Sequence, residues 1–567
     1  MKKGNLLKKI TYIFDKKEIF FFVLLFIIAL VSAALEILGL SLIYPIASSI
    51  ISNQETYFEF QEIFKIKSFL SDDKNIRMLQ LFIFISLLYL IKNIFLIFTN
   101  YIQTDFVLKL SRTLSLRVFK VYLKKPLIYF LNFNSSLMIR NCTALVSAFA
   151  QQLMPAVLSI VVEIVLLSTM LIFLLNIDFY ITLFAIIFFS ITIFLVHILT
   201  KKKNYENASI IKKLWAEKVK IISEAFAGIK DIKISKSENK FLSDFDKNSK
   251  KSNAAQLYSN MLTVIPRYVI EYCLIILVLT SVYFLAINSV NSGSEIDISK
   301  ISVFFVACIR IYPSVNKLNS SIQRIIFSKP AFEEIQNELK RYFDYENIAD
   351  ANILFKKNIK LKDISFSYDN RNKILTNLNF KIYKNEKVAI YGPSGSGKST
   401  FVNIISGLLN LNEGQMFVDD KLFTTKDLSK WMGNVGYVSQ DISILDDNLI
   451  NNITLKDKKI KDEKYLDSII EDLGLHNIPK DKILGEKGSN ISGGQKQRIG
   501  IARAIYLNPE ILILDESTNS LDHESEKKII DNLIKRDLTM ILVSHDQKVL
   551  DYFKLKYKIE NGQIKLV

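Results

Sequence analysis

Six stretches of this chain, at about 19–49, 79–104, 152–176, 178–200, 263–288 and 300–327, are each long and predominantly apolar. About 20 such residues are enough for a helix to cross the hydrocarbon core of a bilayer. A backbone in hydrocarbon must satisfy its own N–H and C=O groups, so each stretch is expected to be a spanning helix. The first has no small-residue cleavage site and is therefore expected to stay as a span instead of being removed. Residues 328–353 then form a charged, polar stretch expected to be a solvated linker, and 354–567 has the composition of a water-soluble domain. This division gives an all-α transmembrane domain of six helices over 1–327, followed by an α/β domain.

The formal net charge is +17, and its placement decides its meaning. Lys2, Lys3, Lys8, Lys9, Lys16 and Lys17 precede the first span, and Lys109, Arg112, Arg117, Lys120, Lys124 and Lys125 follow the second. Lys201 to Lys203, Lys212, Lys213, Lys218 and Lys220 follow the fourth. Cations gathered in alternate loops set membrane orientation. They are read here as topology signals and not as a nucleic-acid surface. The N-terminus and everything after the sixth span are thereby placed in the cytoplasm. The connections 105–151 and 201–262 are long and helical in composition, so the spans are expected to continue as helices beyond the membrane. Cys142, Cys273 and Cys308 have neither paired nor metal-like spacing and read as buried thiols.

Within 354–567, short apolar strands alternate with helical stretches, the pattern of an α/β fold. "VAIYGPSGSGKST" places Gly392, Pro393, Ser394, Gly395, Ser396, Gly397, Lys398, Ser399 and Thr400 directly after a strand. Such a loop lets backbone N–H groups approach phosphate oxygens; Lys398 reaches the β- and γ-phosphates and the Ser399 hydroxyl ligates Mg²⁺. "ILILDE" ends in two carboxylates, Asp515 for the metal shell and Glu516 to polarise the attacking water. Between them, "NISGGQ" opens a helix with Ser492, Gly493, Gly494 and Gln495, a second site of anion-binding type. A single nucleotide does not need two such sites on one chain, so the second is assigned to the ATP of another copy.

With Tyr368 before the phosphate loop, Gln440 in "GYVSQD", "SLD" at Ser520 to Asp522 and "SHD" containing His545, the chain resembles the ATP-binding-cassette family. That resemblance implies that Tyr368 stacks on adenine, Gln440 joins the metal shell and catalysis, and His545 senses the γ-phosphate. It implies ATP and Mg²⁺ as cofactors and a homodimer that clasps two nucleotides. "ISGGQ" carries Ile491 where the family usually has Leu, which removes no catalytic atom. Six spans upstream of one cassette look like an exporter-type half-transporter. By the same resemblance, Lys124 to Ser136 and Ser223 to Ser235 are coupling helices that dock on cassettes.

Three cations interrupt the apolar windows: Lys92, Arg267 and Arg310. Each costs about 2.5–3.5 kcal/mol near mid-membrane on insertion scales, so they are expected to face water, a counter-charge or an anionic cargo. Glu36, Glu163 and Glu271 are possible counter-charges, Glu271 standing four residues after Arg267. "TVIPRYVIEY" and "RIYPSVNKLNSSI" are similar to the PglK family of lipid-linked oligosaccharide flippases. The resemblance implies that Lys92, Arg267 and Arg310 engage the pyrophosphate of a polyprenyl-linked glycan. It also implies a bacterial inner-membrane location, and for 55–70 an external helix that touches the polyprenyl tail. An exporter of another lipid or of a peptide, and an ATP-gated channel, are the alternatives.

Overall fold

The computed structural model describes residues 14–52, 74–132, 134–177, 179–292, 298–340, 353–368, 372–425, 427–456 and 462–567. Residues 55–70, expected to form an external helix, lie outside the described residues. The chain divides into two compact units. One comprises Met1–Lys124 and Phe133–Asp344, and the other Lys125–Asn132 and Tyr345–Val567.

The first unit is helical. It contains α1 (Lys16–Ser52) and α2 (Lys74–Leu123). The short helix α3 (Leu127–Asn132) belongs to the other unit. After it come α4 (Ser135–Arg140), a π-helical turn at Asn141–Leu145, and α5 (Val146–Ile177). Then follow α6 (Phe179–Ala227), α7 (Ile229–Ser235), α8 (Glu238–Ser292) and α9 (Ile298–Lys340). Among the described residues, five stretches are long and apolar enough to cross a membrane: Lys16–Leu35, Phe82–Leu123, Ser135–Ile172, Thr182–Ala227 and Glu238–Thr280. The sixth apolar window lies on α9, where the side chains of 298–310 are not described. Helices α2, α6 and α8 have 50, 49 and 55 residues. At about 1.5 Å per residue they run roughly 74–83 Å, well over twice a hydrocarbon core.

Helix α9 packs on α5 and α6 on α8, with α1 against α2 and α5. Large apolar residues such as Phe82, Ile97, Phe194 and Leu279 are exposed. Apolar surface of this extent is stable only where lipid or another protein covers it. One expectation is corrected here. Residues 328–340 are not a solvated linker: α9 continues through them and buries Ala331, Ile335 and Leu339. Their spacing of four residues makes an apolar stripe that the surrounding charges concealed. Helices α8 and α9 run through Pro266 and Pro313.

Buried polar side chains tie the helices together. Asn204 on α6 donates from Nδ2 to Gln323 Oε1 on α9 at 2.9 Å and accepts from Ser259 Oγ on α8 at 2.8 Å. Gln323 Nε2 donates in turn to Thr200 Oγ1 at 2.7 Å. Every member has a partner, the condition under which a buried polar cluster specifies one packing instead of weakening it. Nearer the first turn of α5, Arg140 is 4% exposed and donates to Asn141 Oδ1, to the Lys212 carbonyl and to Glu334. Lys212 Nζ meets the other Glu334 oxygen at 2.7 Å. The π-helical turn fits an extra residue into the helix, and Asn141 at its start donates to Tyr122 OH at 2.7 Å.

The second unit opens with β1 (Asn358–Phe366), β2 (Leu375–Tyr383) and β3 (Lys387–Tyr391), then α10 (Lys398–Ile405). It continues with β4 (Glu413–Val418), β5 (Lys421–Phe423), α11 (Leu428–Met432) and β6 (Val435–Val438). Helices α12 (Leu449–Thr454), α13 (Glu463–Asp472) and α14 (Gly493–Tyr506) precede β7 (Ile511–Asp515). The last elements are α15 (His523–Ile534), β8 (Thr539–Val543), α16 (Gln547–Leu550), β9 (Leu555–Glu560) and β10 (Gln563–Leu566). An antiparallel sheet of order β2-β1-β4-β5 accompanies a six-stranded sheet of order β10-β9-β3-β8-β7-β6. In the latter, β9, β3, β8, β7 and β6 are parallel, registered for instance by Val388↔Ile541 and Val438↔Leu514. Strands β7 and β8 are buried along their whole length, as a parallel sheet covered on both faces requires. Helix α3 belongs to this unit, and Ile128 packs against the cluster that contains Phe355, Phe401 and Trp431.

Candidate functional site

Strand order alone assembles the phosphate chemistry. Strands β3, β8, β7 and β6 are consecutive neighbours and parallel, so their C-terminal ends emerge along one edge. The phosphate loop leaves β3, His545 follows β8, Asp515 and Glu516 end β7, and Gln440 follows β6. Groups from 150 residues of sequence thus converge outside the carboxyl ends of an open sheet, where ligands bind in such folds.

The loop has a conformation that its glycines permit. Gly392 has φ +157° in this structure, and a Cβ there would stand 2.1 Å from the Ile559 carbonyl oxygen, so a side chain cannot be accommodated. Gly397, at φ +101°, caps α10 in the left-handed region, which costs glycine little. Lys398 Nζ donates to the Gly392 and Pro393 carbonyls at 2.9 and 3.1 Å, holding the cation along the loop. Ser396 Oγ is buried without a partner, a polar atom that an incoming phosphate oxygen would satisfy. Tyr368 and Thr400 share a hydrogen bond of 3.3 Å, so the ring expected to meet adenine is tethered to the first turn of α10.

Asp515 is 5% exposed, and burial holds its carboxyl above the ordinary range. Hydrogen bonds from Tyr437 and Ser399 oppose that shift, and the neighbouring Glu516 adds to it. Tyr437 OH donates to Asp515 Oδ2 at 3.2 Å; burial pushes this phenol well up, so it remains a donor. Glu516 has φ +48°, an unusual conformation for a residue with a Cβ and one that costs of order 1–3 kcal/mol. Its amide donates to the Val543 carbonyl at 3.0 Å, which anchors that backbone to β8. Its carboxylate accepts from Gln440 Nε2 at 3.1 Å and lies 3.7 Å from His545 Nδ1. The structure therefore brings Glu516, Gln440 and His545 together, and Asp515 with Ser399.

The second anion site is built as a helix start. Ser492 Oγ accepts from Gln495 N at 3.2 Å, and Gln495 Oε1 accepts from Ser492 N at 2.9 Å, a reciprocal capping box. Gly493 and Gly494 stand beside Ser520 of the "SLD" stretch, a Cβ on Gly494 falling 3.2 Å from its carbonyl oxygen. Ser492 and Gly493 are exposed.

In the helical unit, the cations have local partners. Arg267 is exposed, and its Nε donates to Tyr312 OH at 3.3 Å. Tyr312 OH in turn donates to Glu271 Oε2 at 2.8 Å, so Arg267 and Glu271 are joined through a phenol. Lys92 Nζ sits 4.7 Å from the centroid of Tyr89 on the same helix. Arg310 lies on α9, with its side chain outside the described set. The structure adds a cation that the reading of apolar windows passed over: Lys317, 2.8 Å from the buried Glu163. The signal available was its distance of seven residues from Arg310, two turns along one helical face.

Residues 375–519 match the ABC transporter family. The chain is 30% identical over 302 residues to a protein named ATP-dependent lipid A-core flippase from Haemophilus influenzae, covering 51% of each. It is 35% identical over 218 residues to the multidrug resistance ABC transporter ATP-binding and permease protein of Lactococcus lactis, covering 37% of each. The matches thus span about half or less of these curated relatives. A bacterial Atm1-family ABC exporter with ATP bound superposes with a TM-score of 0.81 at 17% identity, over 97% of this chain and 95% of that one. The fold is that of an ABC exporter, a helical transmembrane domain followed by an α/β nucleotide-binding domain.

Proposed function

We propose that this chain, an ABC ATP-binding domain on an exporter fold, is an ATP-driven flippase. Its cargo is a polyprenyl-pyrophosphate-linked glycan, carried from the cytoplasmic to the outer leaflet of a bacterial inner membrane. ATP turnover is the work of the strand-end cluster. Lys398 and the loop N–H groups hold the phosphates, while Glu516, steadied by Gln440 and His545, accepts the proton of the attacking water. Ser399, Asp515 and Gln440 form a hard, oxygen-rich donor set that fits Mg²⁺. Bound Mg²⁺ would neutralise charge on the phosphate oxygens during transfer.

The chain works as a homodimer, each nucleotide held by one copy's phosphate loop and the other's Ser492 to Gly494. The exposure of Ser492 and Gly493 supports this, as does that of Phe226 and Ile234 around α7, at 72% and 84%. A second copy would cover them. Helix α3 is the matching coupling element, in view of its packing within the cassette unit.

The observation that carries the cargo reading is Arg267: an exposed guanidinium within an apolar helix, bonded to a phenol and relayed to Glu271. Left facing lipid it would cost about 2.5–3.5 kcal/mol; an anionic head group in a wet cavity removes that cost. A relative whose name specifies a lipid flippase supports the lipid class. In liposomes containing polyprenyl-pyrophosphate glycan, the purified protein should move it only with ATP and Mg²⁺. Arg267→Ala combined with Arg310→Ala should abolish that movement and the stimulation of ATP turnover by the lipid. Transport of drugs or other lipids with the glycan left behind would leave an exporter and refute this cargo.

A further inference from the structure

We infer that Tyr437 is a positioning residue for the divalent cation of the nucleotide, acting by holding Asp515 in its ligating orientation; this rests on the reading of the cassette as a Mg-nucleotide site. The carboxylate of Asp515 is buried at the end of β7, and a buried carboxylate with a free torsion would turn toward whichever donor was nearest. Tyr437 restricts that freedom, alongside the hydrogen bond from Ser399. Its phenol donates to Oδ2 at 3.2 Å from the neighbouring strand, where Tyr437 is registered with Ile513.

The strand that carries it has little room to move. A Cβ on Gly436 would stand 2.8 Å from the Ala504 carbonyl oxygen and from Pro509 Cγ, so β6 lies hard against the end of α14. Three residues after Tyr437, just beyond the end of β6, comes Gln440, so one strand holds the orienting phenol and leads into a second candidate metal ligand. Outer partners of this kind orient a ligand and raise its affinity for a metal, and their loss typically costs 10–100-fold.

The test uses the full-length protein in nanodiscs with a non-hydrolysable ATP analogue, Mn²⁺ being titrated by electron paramagnetic resonance. Tyr437→Phe keeps the ring and its packing. It should weaken Mn²⁺ binding about tenfold while leaving nucleotide binding in EDTA within about twofold of wild type. In an Asp515→Asn background, Tyr437→Phe should add nothing, because the residue acts through that carboxylate. Unchanged Mn²⁺ affinity would overturn the inference, as would an equal loss of metal-free nucleotide binding, which is what a purely structural phenol gives. A further loss in the Asp515→Asn background would also overturn it. Failure of the wild type itself to bind Mn²⁺ with nucleotide would instead remove the nucleotide reading, and this inference with it.

Discussion

Glu516→Gln should lower steady-state ATP turnover by about 10²–10⁴-fold, the usual contribution of a positioned general base. At 1.36 kcal/mol per decade this is roughly 3–5 kcal/mol of transition-state stabilisation. The substitution is nearly isosteric, and an amide oxygen can still accept from Gln440, so the cluster should keep its shape. What it loses is the ability to take a proton. Nucleotide affinity should therefore survive, and the paired state that clasps two nucleotides should accumulate because hydrolysis no longer ends it. Phosphate release measured beside equilibrium nucleotide binding separates the two effects. Turnover near the wild-type rate would show that Glu516 is not the base. Equal loss of binding and turnover would show that the side chain is needed to build the site, an outcome made conceivable by its φ of +48°.

The residues of that site were legible because each belongs to a short run whose chemistry is local: a glycine-rich turn after a strand, two acids at a strand end, a capped helix start. Local chemistry says nothing of distance, however. That Gln440 and His545 both reach Glu516 follows from the order β3-β8-β7-β6, which no run of residues states. Tyr437 stood in a stretch quoted for its glutamine, and only the register of β6 with β7 gives its phenol a task. Residues 328–340 were misjudged for a different reason. Composition averages over a helix, whereas Ala331, Ile335 and Leu339 bury one face and leave Lys329 exposed. The helical unit was legible in its long apolar helices and opaque in its cross-ties, for a hydrophobic window has no information about which polar residue meets which. Arg140 and Glu334 are separated by 194 residues.

Glu334→Leu is expected to be the most destabilising single change in the helical unit. It would leave Arg140, 4% exposed, and Lys212 beside each other without the carboxylate that pairs with both. Removing one partner of a buried pair in this way costs about 3–5 kcal/mol, because the remaining charge stays desolvated. Arg140→Met should cost less, since Lys212 still neutralises Glu334 and the loss is confined to the bonds with Asn141 and the Lys212 carbonyl. Orphaned acceptors of that sort cost about 1–3 kcal/mol. The double variant should then be more stable than Glu334→Leu alone, since no buried guanidinium remains to be compensated. Thermal unfolding of the four proteins in one detergent gives the coupling directly. Additive losses would mean that the two side chains do not depend on each other. A cost of Arg140→Met equal to that of Glu334→Leu would mean that Lys212 does not share the carboxylate. Coupling with the expected sign would identify this triad as the tie between the end of α4, the second half of α6 and the last turns of α9.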